Sequence, residues 1–478
     1  MNDLSNYNPE PKDRLKFIVM SIVGVFLFMA LIPFWTDAGY RSFNIPLGFV
    51  INWLGLAINA VEVNGFGLLA LVAAIVITLS FIGSVLAYTV KPDFIMKSER
   101  LRNLFHCNII YFVSKAVGFA LVWMVFFDIG PEQIIGWEGA MLMMDLIAGG
   151  GTGSNLMSIF IVLGIAIPLL TDFGIMEFLG TLIKKVVRKL FTLPGRSSID
   201  LLGSWFSSSA ASVIITRDQH EKGYYTGREA AAICVNFTLV SLPFTFVVAD
   251  RLSLAAFFPL FYLIVCVTTI LLAIVMPRIW PLRGIKDDYL PEVGKQIDEE
   301  VPQNMSVFKQ AVKQASYRAS LTGPADVVKS GLNNWMNIFM DLIPVILAWG
   351  TVAIIIVEQT PFFGYISTPF GWYLQLFNIQ GAVENAHIML VGFIDMFLPA
   401  ILMGGPMVDG VRVPTVYFET RFILGALSIV QIIYLAETGI LILKSKIPLH
   451  IGHLAIIFLM RTVFALPVIV LLTRLLVR

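Results

Sequence analysis

The chain has 478 residues, 57% of them hydrophobic and only 14% charged, with a formal net charge of +1. A soluble protein carries roughly 25% charged residues, so most of this chain belongs in lipid, and the near-zero net charge leaves no footprint for nucleic acid. The three cysteines, Cys107, Cys234 and Cys266, fall in apolar segments without metal-ligand spacing and read as small core residues.

The polar start, with Lys12, Arg14 and Lys16, leads into a charge-free apolar run at 17–35. That run is long enough to span and has no small-residue cleavage pattern, so it is expected to be an uncleaved first span. Further spans are expected at 66–90 and 105–127, the latter enclosing Lys115. The loop between them holds Lys91, Lys97, Arg100 and Arg102, whereas 36–65 and 128–139 are mainly acidic. The positive-inside rule then places the N-terminus in the cytoplasm. Residues 44–60 are expected to form a surface helix against the outer face.

Residues 149–153 read Gly-Gly-Gly-Thr-Gly and lead to Asn155. The glycines permit close backbone approach, and Asn155 is a good cap whose following N–H groups suit a polar or anionic group. No Gly-Lys-Ser/Thr follows, which excludes a nucleotide P-loop. A span at 156–170 ends beside Asp172. Residues 175–191 follow with an apolar stripe opposite Lys184, Lys185, Arg188 and Lys189, the pattern of a helix lying on an anionic leaflet.

Residues 199–215 pose a topological problem. Arg196 precedes them, and Arg217, Lys222 and Arg228 follow. A full crossing would strand one basic loop outside; a segment that dips in and returns keeps both inside. The small polar centre Ser207, Ser208 and Ser209 fits the tip of such a re-entrant hairpin, since broken backbone at membrane depth is tolerated only against protein or a water-filled cavity. A small-residue packing face is the competing reading. Clean spans are expected at 230–249 and 254–276, then a cytoplasmic linker to residue 330.

The second half starts with a repeat. Residues 334–339, Asn-Trp-Met-Asn-Ile-Phe, match 155–160, Asn-Leu-Met-Ser-Ile-Phe, at four of six positions. Each copy opens an apolar segment with an internal proline, Pro168 or Pro344, and a later glycine, Gly174 or Gly350. Such duplication in an apolar chain points to an inverted-repeat transporter. A span at 337–357 carries Asp341, and the aromatic-rich 362–377 should lie at the outer interface. Residues 386–403, with His387 and Asp395, form the counterpart hairpin and end at Gly404 and Gly405. Spans at 416–436 and 454–472 complete the chain. Arg474 and Arg478 would then lie outside, against the charge rule.

The stretches 155–160, 201–212, Thr226 to Glu229, 334–339 and 404–406 resemble the nucleoside-recognition, or Gate, family, and most closely the YjiH-type bacterial inner-membrane proteins. Roughly 149–472 carries the likeness. The resemblance implies a membrane protein built of two related halves. The same domain occurs in concentrative nucleoside transporters, ferrous-iron permeases and spore-maturation proteins, so it implies no single substrate. The acidic and aromatic clusters of the nucleoside transporters have no match here, and no GTPase domain is present.

The expected architecture is all-α and polytopic, with about nine spans and two re-entrant hairpins. The parts are an N-terminal region (1–148), a first Gate-like repeat (149–276), the linker (277–330) and a second repeat (331–478). The expected function is ion-coupled transport of a small polar solute such as a nucleoside, dipeptide or amino acid; a non-transporting scaffold is the alternative. Asn155, Ser207, Ser208, Ser209, Asn334, Asp395, Gly404 and Gly405 are expected to bind solute. Asp172 and Asp341 are expected to bind a coupling H+ or Na+, because intramembrane ionisable groups are costly and mark pathways. Lys115 is expected to snorkel or to pair with Asp145, and Arg461 to pair with Glu437 or Glu419. No cofactor, resident metal or catalytic motif is read; the partners are lipid and solute, with self-association into a homo-oligomer left open.

Overall fold

The computed structural model describes the chain apart from residues 1–6, 31, 36–40, 64–65, 108, 137–139, 141–146, 148–155, 196, 199–200, 202–208, 239–241, 292–305, 406, 409–410 and 478. The expected sites Asn155, Ser207 and Ser208, and Asp145, lie outside the described residues, as does the glycine run but for its context. The protein is all-α and polytopic. Its few described strands form three antiparallel hairpins at helix ends. Four described helical runs are long and apolar enough to cross a membrane, at Leu68–Thr89, Ala255–Gly284, Pro324–Val357 and Ile451–Leu476.

The first helix, α1 (Pro11–Met29), is shorter than the apolar run that contains it. Ala30 turns extended, and Ile32–Trp35 pairs with Arg41–Asn44 as a hairpin. Pro33 cannot donate a helical hydrogen bond, so the run to residue 35 is not one helix. Helix α2 (Pro46–Asn59) buries Leu47, Ile51 and Asn59. It packs on α1 and on the first repeat's leading helix. α3 (Leu68–Thr89) and α4 (Ile109–Phe127) are near-continuous apolar runs. At 1.5 Å per residue, the 22 residues of α3 extend about 33 Å, enough for a hydrocarbon core.

In the first repeat, α5 (Leu156–Thr171) leads through Gly174 into α6 (Ile175–Phe191). Gly174 has φ +98°, and a Cβ there would collide with the Ala315 carbonyl, so both angle and space call for glycine. α6 turns Thr181, Val187 and Phe191 inward and leaves Leu182, Val186 and Leu190 exposed. Its outward apolar stripe suits a membrane surface. α7 (Ser209–Glu221), α8 (Gly227–Asn236), α9 (Leu242–Arg251) and α10 (Phe258–Val275) follow. Thr226 and Glu229 close a reciprocal capping box at the start of α8.

The linker contributes α11 (Val307–Leu321), which lies along α6 and α1. The second half holds α12 (Pro324–Asn337), α13 (Ile343–Gln359), α14 (Phe362–Gln375), α15 (Leu398–Gly404), α16 (Phe418–Val430) and α17 (Ile451–Leu476). α12 starts 10 residues before the repeated Asn334, because Pro324 takes its first position and the Asp326 carboxylate accepts from the Gly323 N–H at 2.7 Å. It continues through one π-helical turn, Ile338–Leu342, into α13. Asn334 is therefore inside a helix and caps nothing.

The two repeated segments meet directly. α12 packs on α5, with the Trp335 indole donating to the Ile161 carbonyl at 2.8 Å and lying on Gly164. The Thr322 hydroxyl donates to the Asp172 carbonyl at 2.7 Å. Position 322 opposes 172 while 335 opposes 161, so the pair is antiparallel.

Two expected spans are broken. Residues 230–249 divide into α8 and α9, with Phe237 and Thr238 outside both. Residues 416–436 divide after Val430; Ile432 has φ +62°, and a π turn at Leu435–Gly439 follows. The counterpart hairpin, 386–403, is no crossing helix. It consists of a four-residue helix, Ile388–Val391, a turn, and α15.

Candidate site at two broken helices

A helix that stops inside a bilayer leaves carbonyl oxygens without partners and presents the negative end of its dipole. Here α8 stops at Asn236 and α16 at Val430. Arg461, in the middle of α17 and fully buried, serves both ends. Its Nε and Nη2 donate to the Val430 carbonyl at 3.0 and 2.7 Å. Its Nη1 donates to the Val235 carbonyl at 3.1 Å and to Asn236 Oδ1 at 2.8 Å. A planar five-donor guanidinium suits this task, as it reaches two helices at once. The partners are backbone oxygens and an amide, where Glu437 or Glu419 was expected. Glu419 instead pairs with Arg474 at 2.7 Å. That pairing also neutralises one of the two late arginines that ran against the charge rule.

The second break is docked by the counterpart hairpin. The Leu435 N–H donates to the Phe393 carbonyl at 2.8 Å. The Gln431 amide donates to the Met389 carbonyl at 2.9 Å and to Thr462 at 2.8 Å. Gln431 Oε1 is buried and has no partner among the described residues, which leaves an acceptor facing the turn at Gly392. Asp395 is buried in that turn and accepts from the Phe397 N–H at 2.8 Å, which fixes the entry to α15. Phe397 lies edge-on to Phe244 of α9, at 5.6 Å between ring centroids. The hairpin of the second half therefore touches both breaks' helices.

The expected solute residues scatter relative to this centre. Asp395 is one turn from the second break. Gly404 and Gly405 lie at the far end of α15, where Gly404 faces Arg251 and Gly405 takes φ +68° against Val413. Ser209 opens α7. Asn334 lies one residue from the Trp335 contact with α5.

The two expected ion ligands do not meet. Asp172 lies at the end of α5, where the Thr171 hydroxyl donates to its carboxylate at 3.1 Å and Arg318 of α11 is 3.7 Å away. Arg318 also reaches Glu177 at 3.9 Å. Asp341 lies in the π turn, 2.6 Å from the Lys115 ammonium. Lys115 is fully buried and also donates to the Leu104 carbonyl at 2.8 Å. Asp172 opposes Thr322, and Asp341 lies 19 residues further along the same helical run, about 28 Å at helical rise. Asp341 is thus the described partner of Lys115, which was expected to snorkel or to pair with Asp145; Asp145 lies outside the described residues. Asn236, Gln431 and Arg251 were missed by sequence reasoning, although each is a polar or charged residue in an apolar run, which is the signal that identifies such groups.

A family model described as Gate, nucleoside recognition, matches residues 154–276. An uncharacterized protein of Alkalihalophilus pseudofirmus is 39% identical over 465 residues, covering 96% of this chain and 94% of the relative. This chain belongs to that protein's family. The stretches 155–160, 201–212 and Thr226 to Glu229 all fall inside the Gate match. Among solved structures, CNTnw in an inward-facing substrate-bound state aligns over 96% of this chain and 99% of its own, at 13% identity and a TM-score of 0.38. CNTnw in an outward-facing state aligns over 97% of each chain, at 12% identity and a TM-score of 0.36. Those scores are too low to transfer residue roles.

Proposed function

We propose that this protein is a secondary transporter that carries a small polar solute across the bacterial inner membrane, N-terminus in the cytoplasm. The observation that supports the reading is the pair of helices, one in each half, that end beside the middle of α17 and share Arg461. Interrupted helices at membrane depth are expensive unless buried in protein or lining a passage, and in carriers they mark the solute site. The description of the matched Gate family, nucleoside recognition, puts nucleosides first among candidate solutes, followed by dipeptides and amino acids. Asp395 and the free Gln431 oxygen flank the second break and are the groups we assign to solute. Gly404 and Gly405 give the adjoining backbone room. The serines at the first hairpin are assigned to the opposite side. For coupling to H+ or Na+, Asp341 is better placed than Asp172, since its partner Lys115 is wholly out of solvent.

The test is reconstitution into liposomes with imposed proton or sodium gradients, screening labelled nucleosides, dipeptides and amino acids. Flux that Asp395→Asn abolishes without loss of folded protein is expected. Silence across the whole screen, from protein that remains monodisperse, would favour a scaffold.

A further inference from the structure

Arg251, the last residue of α9, is 3% exposed. None of its Nε, Nη1 and Nη2 atoms has a hydrogen-bond partner among the described residues. A buried guanidinium without an acceptor is several kcal/mol less favourable than one in water, and buried charges in folded proteins are paired. Its side chain lies on Gly404: a Cβ added there would be 2.9 Å from Arg251 Nε and 2.8 Å from its carbonyl oxygen. The glycine thus makes the room that the guanidinium occupies.

A second arginine belongs to an element packed at the same junction. Leu252, next to Arg251, packs on Gly425 of α16, and Arg421 is one helical turn before Gly425. Phe257 and Phe418 meet edge-on across the same junction at 5.1 Å between ring centroids, and the Arg421 guanidinium is 5.5 Å from the Phe418 ring. Arg421 Nε and Nη1 are also buried without partners among the described residues. Arg421 is in the first turn of α16, the positive end of the helix dipole, where a cation is unfavourable and an anion is welcome. Glu419, in the same first turn as Arg421, is committed to Arg474. Asp250 also has a partner.

We propose that Arg251, seated on Gly404 and assisted by Arg421, forms a binding site for a small oxyanion, a carboxylate or a phosphate, at the junction of the two halves. A guanidinium fork presents paired N–H donors in the geometry such groups accept. This deepens the transporter reading, since an acidic solute would be held there. It is tested by binding in detergent, so it stands or falls separately from flux.

The experiment measures the melting temperature of the purified chain with sodium succinate, sodium phosphate or sodium chloride at matched ionic strength, and with added phosphatidylglycerol. Succinate or phosphate should raise it by about 2–5 °C at saturation, and chloride should not. Arg251→Lys should weaken the apparent affinity about tenfold, and Arg251→Met should abolish the response. Without added anion, Arg251→Met should melt no lower than the parent, since it removes an unpaired buried charge; an arginine that only supports the fold would lower it. A response limited to phosphatidylglycerol would keep the oxyanion site and assign it to a lipid headgroup. No response to any oxyanion, or an equal response in Arg251→Met, would overturn the proposal.

Discussion

Arg461 offers the sharpest test of how the two broken helices are held. Arg461→Lys keeps the charge and most of the apolar stem but replaces the fork with a single ammonium. The native group makes two bonds to Val430 and one each to Val235 and Asn236. These acceptors are on different helices, and one ammonium cannot serve both with the same geometry. Two lost charge-assisted bonds, at about 1.5 kcal/mol each, give an expected destabilisation of about 3 kcal/mol. The measurement is denaturant unfolding in mixed micelles, followed by circular dichroism. Because Asn236 accepts from the same group, Asn236→Ala should cost about 1 kcal/mol less in the Lys background than alone. A Lys variant as stable as the parent, or strict additivity with Asn236→Ala, would show that the ends of α8 and α16 are satisfied in another way.

Asp341→Asn should destabilise the protein by about 3 kcal/mol in the same assay, because it leaves the Lys115 ammonium buried without its counter-ion. The double change Lys115→Met with Asp341→Leu should recover most of that loss. Gly174→Ala should cost about 2 kcal/mol, from the left-handed φ and the collision with Ala315. It should also speed proteolysis between α10 and α11; an unchanged digestion rate would argue against the α6–α11 contact as a constraint. Glu177 has its pKa raised above 4.5 by burial, with Arg318 opposing the shift. A carboxyl raised in the folded state stabilises when protonated, so this contribution is full below about pH 4.5 and fades as pH rises through the shifted value. The melting temperature of Glu177→Gln should therefore fall less than the parent's on going from pH 4.5 to 7.

Composition and hydropathy were enough to place the chain in a membrane, because a lipid-facing helix must be apolar along its length and α3, α10 and α17 are. The duplicated motif also pointed to elements that touch, through Trp335 and Ile161. Hydropathy could not show the breaks, since both lie in runs that stay apolar on either side. The break after Asn236 did leave one sign: Pro243, at the start of α9, belongs in a helix's first turn. The break after Val430 has neither proline nor glycine; it is held by the Thr438 hydroxyl, the Phe393 carbonyl and the reach of Gln431 to Met389. Charge partners were the least legible. Charge complementarity paired Arg461 with acids, whereas two helix ends supplied the Val430 and Val235 carbonyls, which no residue type announces, beside the Asn236 amide.

The indole of Trp335 fills the notch at Gly164 and leaves no space for even a methyl group there. Such a keyed joint opposes sliding between α5 and α12, so those two helices are expected to move together. Any rearrangement that exposes the interior to alternate sides has to flex at the interrupted segments near Thr238 and Ile432. Loosening the joint with a smaller side chain at position 335 would then be felt as lost coordination between the halves.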